Sequence, residues 1–138
     1  MGEAKRVLVI EDNELNMKLV VALLTHSKLD VLCAADAESG LEMAKEHRPD
    51  LILMDIQLPG MDGLAATRLL KNSPGLKDIP VIALTGYAMK GDKEKALAAG
   101  CADYISKPID TRSFHKRIRP FLDGAQTDKP IVTESGVS

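Results

Sequence analysis

The chain has 138 residues, 45% of them apolar and 28% charged, a balance that supports one domain with a buried core rather than two domains or a disordered chain. A net charge of −2 offers no basic footprint for nucleic acid, and no apolar run approaches the roughly 20 residues that cross a bilayer. Cys33 and Cys101 lack metal-type spacing, and the brief run Val7–Ile10 is no secretory start, so both are expected to be reduced, half-buried residues of a cytoplasmic protein.

In chain order, the first element is Val7-Leu8-Val9-Ile10, apolar at every position. Such a run suits a strand buried on both faces, as in a parallel sheet covered by helices. Leu15, Leu19, Leu23 and Leu24 then recur at helical spacing, with Asn13 as N-cap. Asp30 to Ala34 is a weaker strand, expected near a sheet edge. Ala37, Leu41 and Ala44 mark a second helix capped by Asp36. Leu51-Ile52-Leu53-Met54 is again wholly apolar. Leu64, Leu69 and Leu70 mark a third helix, stopped by Ser73-Pro74-Gly75. Val81-Ile82-Ala83-Leu84 is the fourth strand, and Met89 to Ala99 a fourth helix closed by Gly100. Asp103 to Ser106 is a weak edge strand. Phe114, Ile118, Phe121 and Leu122 make the last helix, with Asp110 or Thr111 at its cap. This alternation predicts an α/β domain with right-handed crossovers over residues 1–122, followed by a flexible polar tail over 123–138. His26, His47 and His115 lie on different helices and are expected at the surface, and His115-Lys116-Arg117 reads as a solvated helix face.

The polar residues fall at telling places. Glu11-Asp12 follows the first apolar run, Asp55 the third strand, Thr85 the fourth, and Lys107 stands just past the fifth. Carboxyl ends of strands in an open parallel sheet are where ligand crevices form. Three carboxylates against one lysine leave excess negative charge, which either shares protons or recruits a cation. With oxygen donors and no nearby histidine or cysteine, the expected ion is Mg²⁺ rather than zinc. A carboxylate can also attack an activated phosphoryl group to give an acyl phosphate. Asp55 is the better nucleophile because it leaves a central-looking strand, and Glu11-Asp12 is better placed for metal. Lys107 and the Thr85 hydroxyl would neutralise and bind phosphoryl oxygens. Taken singly, the acidic pair reads as a helix cap, Asp55 as a turn residue, Thr85 as a cap and Lys107 as a surface charge. Their joint placement is what favours a site.

The runs Val7-Leu8-Val9-Ile10-Glu11-Asp12-Asn13, Asp50-Leu51-Ile52-Leu53-Met54-Asp55-Ile56-Gln57-Leu58-Pro59-Gly60-Met61-Asp62-Gly63, Pro80-Val81-Ile82-Ala83-Leu84-Thr85 and Ser106-Lys107-Pro108 carry a resemblance. Over residues 5–122 the sequence resembles the receiver domains of two-component response regulators. The resemblance implies a flavodoxin-like fold, with five parallel strands in the order 2-1-3-4-5 and five helices. It makes Asp55 the phosphoacceptor, and Asp12 a direct Mg²⁺ ligand, with Glu11 acting directly or through water and the Gln57 backbone carbonyl as a further ligand. Thr85 and Lys107 would contact the phosphoryl oxygens, and Lys107-Pro108 would carry a cis peptide. Thr85 and Tyr104 would form the switch. Gln57 and Tyr87 would flank the phosphoryl group, and Tyr87 is expected to restrict attacking water and lengthen the phosphorylated lifetime.

Such a domain catalyses only its own phosphorylation and dephosphorylation. Its partners would be a sensor histidine kinase or a histidine phosphotransfer protein. A downstream protein would meet the face of the fourth helix, fifth strand and fifth helix, including Lys90, Lys95 and Ile105. The segments Glu11–Asn16 and Ala88–Asp92 look more like hybrid-kinase receivers and single-domain regulators than like the chemotaxis regulator. A stand-alone or phosphorelay receiver is therefore expected, with no nucleic acid or membrane as partner. Two rival classes fit less well. Aspartyl-phosphate phosphatases of the haloacid-dehalogenase type place a second acid where this chain has Gln57, and a flavodoxin-like nucleotide module would not place Glu11-Asp12 where a phosphate should bind.

Overall fold

The structure, a computed structural model, describes residues 5–58, 60–86 and 91–127. Among the described residues, strands and helices alternate strictly. They are β1 (Arg6–Ile10), α1 (Glu14–His26), β2 (Asp30–Ala34), α2 (Ala37–His47), β3 (Leu51–Asp55), α3 (Gly63–Lys71), β4 (Val81–Thr85), α4 (Asp92–Ala99), β5 (Asp103–Ser106) and α5 (Phe114–Thr127). The strands form one sheet in the order β2-β1-β3-β4-β5, and each neighbouring pair is parallel. The three wholly apolar runs are the interior strands and the two weaker candidates are the edges, as the sequence pattern predicts.

Successive residues of a strand face opposite sides of the sheet, and this splits the core in two. Leu8, Ile10, Ile52, Met54 and Ala83 pack towards α2, α3 and α4. Val7, Val9, Leu51, Leu53, Ile82 and Leu84 pack towards α1 and α5, where Val20, Leu24, Phe114 and Ile118 meet them. Each fully buried aliphatic side chain contributes about 1.5–3 kcal/mol, so the interior strands dominate stability.

The caps are local and follow from residue type. Asn13 Oδ1 accepts from the Asn16 N–H at 2.9 Å, Asp36 Oδ1 from Ser39 at 2.8 Å, and Asp62 Oδ1 from Ala65 at 2.8 Å. Each satisfies a first-turn donor that the helix itself leaves unpaired. α4 lies between Gly91 and Gly100, both with positive φ. Its expected start at Met89 lies outside the described residues.

Five expectations are corrected. Leu15, assigned to the buried stripe of α1, is 76% exposed. The rest of the stripe holds, with Val20 and Leu24 buried and Met17, Leu19 and Leu23 packed beside them, and at about 100° per residue Leu15 falls almost opposite Met17. In α3, Leu69 is exposed, and the inner face is Gly63, Ala66, Thr67 and Leu70. Cys33 is exposed on an edge strand and Cys101 is buried, so neither is half-buried. Ile105, expected on an output face, points into the core beside α5. Finally, α5 begins at Phe114, after a turn in which the Asp110 carbonyl accepts from Ser113 and Phe114, and it continues through Pro120 past the expected end at Leu122 to Thr127.

Candidate functional site

Four strand ends meet at one edge of the sheet. Asp55 and Thr85 are the last residues of β3 and β4. Glu11 and Asp12 directly follow β1, and Lys107 directly follows β5. The backbone explains why they converge. In-register pairing sets Asp55 beside Leu84 and Thr85 beside Ser106. The Lys107 N–H then donates to the Thr85 carbonyl at 2.7 Å, extending the β4–β5 ladder by one residue. The Lys107–Pro108 peptide is cis, as the family resemblance implies.

The side chains complete a charge cluster. Lys107 Nζ lies 2.8 Å from Glu11 Oε1 and 3.2 Å from Asp55 Oδ2. Asp55 Oδ1 accepts from the Gln57 backbone N–H at 2.9 Å, and Glu11 Oε2 from the Asn13 N–H at 3.1 Å. Glu11, Asp55 and Thr85 are buried, whereas Asp12 is exposed at the rim. Burial pushes the Glu11 carboxyl above its ordinary range, against the pull of Lys107 and the Asn13 N–H. Burial alone would lower the Lys107 pKa, but Glu11 and Asp55 outweigh it and hold the ammonium above its ordinary value. Ammonium and two carboxylates thus form a coupled, partly desolvated unit.

Oxygen atoms of Glu11, Asp12 and Asp55 lie within 4.8 Å of one another. Oxygens on opposite sides of an octahedral Mg²⁺ are about 4.2 Å apart, so the cluster is close to the size such an ion takes. Glu11 Oε1 is ion-paired with Lys107 but has no aligned hydrogen-bond donor. The donor set consists of hard oxygens, and the residues present therefore fit Mg²⁺.

Gly63, at the first position of α3, also supports the site. A Cβ on Gly63 would lie 2.3 Å from the Asp55 carbonyl oxygen and 2.6 Å from the Ile56 Cα. Only glycine lets α3 start this close to the end of β3. Its signal in the sequence was a glycine at the first helical position directly after the cap Asp62. Of the other expected residues, Tyr104 is half-buried against the α2–α3–α4 core layer and sits in register with Ala83. Its carbonyl accepts from the Arg117 guanidinium at 2.5 Å. Gln57 is exposed next to Asp55, with its backbone N–H on the Asp55 carboxylate. Tyr87 and Lys90 lie outside the described residues.

Comparison with known proteins gives a consistent result. The family described as the response regulator receiver domain matches residues 7–119. The polar-differentiation response regulator DivK of Brucella anthropi is 49% identical over 121 residues, spanning 88% of this chain and 98% of that protein. The receiver domain of the sensor histidine kinase PA1611 from Pseudomonas aeruginosa, solved with a magnesium ion coordinated in its active site cleft, superposes with a TM-score of 0.81 at 33% identity, over 88% of this chain and 99% of that one. A chain from the Saccharomyces cerevisiae co-crystal of the histidine phosphotransfer protein Ypd1 with the receiver domain of Ssk1 gives a TM-score of 0.82 at 27% identity, over 91% of this chain and 93% of that one.

Proposed function

The chain belongs to the response regulator receiver family, and from that premise we propose that Asp55 is its phosphoacceptor, with Glu11 and Asp12 holding Mg²⁺ beside it. The observation that carries this reading is the contact of Lys107 with both Glu11 and Asp55, at 2.8 and 3.2 Å, in a cluster whose carboxylate oxygens suit one hard cation. Asp55 is the attacking group because its carboxylate ends an interior strand and is oriented by the Gln57 N–H. When bound, Mg²⁺ supplies charge neutralisation for the phosphoryl oxygens. The Asp55, Asp12 and Glu11 carboxylates and the Gln57 carbonyl are the groups that would hold it. Lys107 compensates the buried carboxylates before transfer and the added phosphoryl charge, about −1.5 to −2, after it. Thr85, at the end of β4, offers its hydroxyl to a phosphoryl oxygen.

The switch follows from the same placement. Drawing the Thr85 side chain towards Asp55 opens space behind β4, and Tyr104, half-buried on β5, is positioned to turn inward and fill it. The surface of α4, β5 and α5 then changes as a two-state element biased by a local charge. A downstream protein reads that face, with Lys95 exposed on it. The phosphoryl donor is a histidine kinase or a histidine phosphotransfer protein, a reading supported by the likeness to the Ypd1–Ssk1 complex. The domain turns over only its own acyl phosphate, and Tyr87, two residues after Thr85 in the sequence, slows hydrolysis. No described helix is long and apolar enough to cross a membrane, and a kinase-fed receiver of this kind works in the cytoplasm.

Intact-mass analysis after incubation with acetyl phosphate and Mg²⁺ tests the assignment. One labile phosphoryl adduct is expected on the wild type, absent with EDTA and absent in Asp55→Ala. An adduct that persists in Asp55→Ala sinks the assignment.

A further inference from the structure

At the opposite end of the sheet from Asp55, a second concavity opens between the start of β1, the end of α1 and the outer turns of α5. Its volume is about 160 Å³, close to that of a cavity known to admit one benzene ring. The rim is polar and basic, with Lys5, Ser27, His115 and Arg119. Leu29 and Leu122 supply apolar wall. The rim is also organised. Ser27 Oγ and His115 Nδ1 are 2.7 Å apart, tying the end of α1 to α5 across the opening. Phe114 packs edge-on to the His115 ring, with centroids 5.8 Å apart, and is itself buried. Lys5 and Arg119 carry fixed hydrogen-bond donors on this rim, beside the His115 ring.

Among the described residues that line this concavity none is acidic, whereas Lys107 at the other end of the sheet is paired with two carboxylates. Donors on the rim and leucine on the walls match a ligand of opposite character, with a negative head and a short hydrocarbon stem. We propose that this pocket binds a small organic anion, a carboxylate or phosphate monoester with a short apolar stem. The head would sit among Lys5, His115 and Arg119, and the stem against Leu29 and Leu122. This site is separate from the phosphoryl chemistry and does not depend on it.

The experiment is a titration of the full-length, ¹⁵N-labelled protein with hexyl phosphate, without Mg²⁺, followed by amide chemical shifts. Inorganic phosphate serves as the head without its stem. Saturable shifts are expected at Ser27, His115 and Arg119, while the residues after Asp55 and Thr85 stay unmoved. Inorganic phosphate should bind several-fold more weakly. Arg119 is exposed, so Arg119→Ala leaves the core intact and should weaken hexyl phosphate roughly tenfold. Arg112→Ala, also exposed but outside the pocket, should have no effect. The proposal is overturned if the shifts do not saturate, if they centre on Asp55 and Lys107, or if both arginine variants weaken binding equally.

Discussion

Lys107 stands between two carboxylates that would otherwise repel each other, and its side chain is only 14% exposed. Removing one partner of such a group leaves uncompensated buried charge, a loss of about 3–5 kcal/mol for a fully buried pair and less here, where solvent reaches the ammonium. Lys107→Met should therefore lower the thermal midpoint, and added Mg²⁺ should recover more of that loss than it adds to the wild type, because a cation replaces a cation. Calorimetry with and without Mg²⁺ checks this, and equal Mg²⁺ effects in both proteins would contradict it. Glu11 makes a pH prediction of the opposite sense to most carboxylates. Its folded-state pKa is raised above the ordinary 4.5, so the folded state binds the proton more tightly. Stability from this group is complete below 4.5 and declines as pH rises through the folded value. In metal-free urea titrations, the wild type should show this declining component above pH 4.5 and Glu11→Gln should lack it. Asp36 behaves conversely. The Ser39 N–H holds it below its ordinary value, and its contribution is lost as pH falls. The five polar residues at strand ends were legible because each stands directly beside an apolar run. The role of Gly63 was not: the sequence shows only a glycine after Asp62, and the tertiary distance to the Asp55 carbonyl that requires it follows from no spacing rule.

Between elements, backbone and side-chain crowding should separate two glycines that look alike in sequence. A methyl on Gly40 of α2 would meet Ile10 Cδ1 at 2.3 Å, the movable end of a side chain, whereas on Gly63 it would meet the β3 backbone at the same distance. Gly40→Ala is expected to destabilise by about 1–3 kcal/mol, the usual range for overpacking. Gly63→Ala should cost more, and should also slow phosphoryl transfer, because relief requires moving Asp55, the proposed acceptor. Denaturant titration and adduct formation measure the two effects. The corrected face of α1 gives a matched pair. Leu24→Ala should cost about 2–5 kcal/mol, and Leu15→Ala should stay within about 0.5 kcal/mol. The sequence could not rank these leucines. Leu15 stands at the same helical interval from Leu19 as Leu19 does from Leu23, yet only the latter two pack against the core, and that choice is made by the sheet. The α5 boundary was missed for a related reason. Polar residues after Leu122 read as a tail, yet a helix already anchored by Phe114 and Ile118 can run on without further apolar contacts.

Across the whole molecule, strand count, order and the inner or edge status of each strand were readable from apolar continuity and from the family resemblance. β1, β3 and β4 are interior strands, while among the described residues β2 and β5 each leave one edge unpaired. Hydrogen exchange should accordingly be slowest in the amides of the three interior strands and faster in β2 and β5. An equal rate across all five would mean that the sheet opens only as a unit. The site inherits this arrangement, with Asp55 in the most protected part and Lys107 just beyond an edge strand. That order also has a meaning in time. During synthesis Glu11, Asp12 and Asp55 leave the ribosome well before Lys107, and the ammonium that neutralises them comes from the last strand. A nascent chain therefore holds an acidic, unpaired half-site until β5 docks, so under the proposed role of Asp55 and Lys107 competence to be phosphorylated arrives with completion of the sheet.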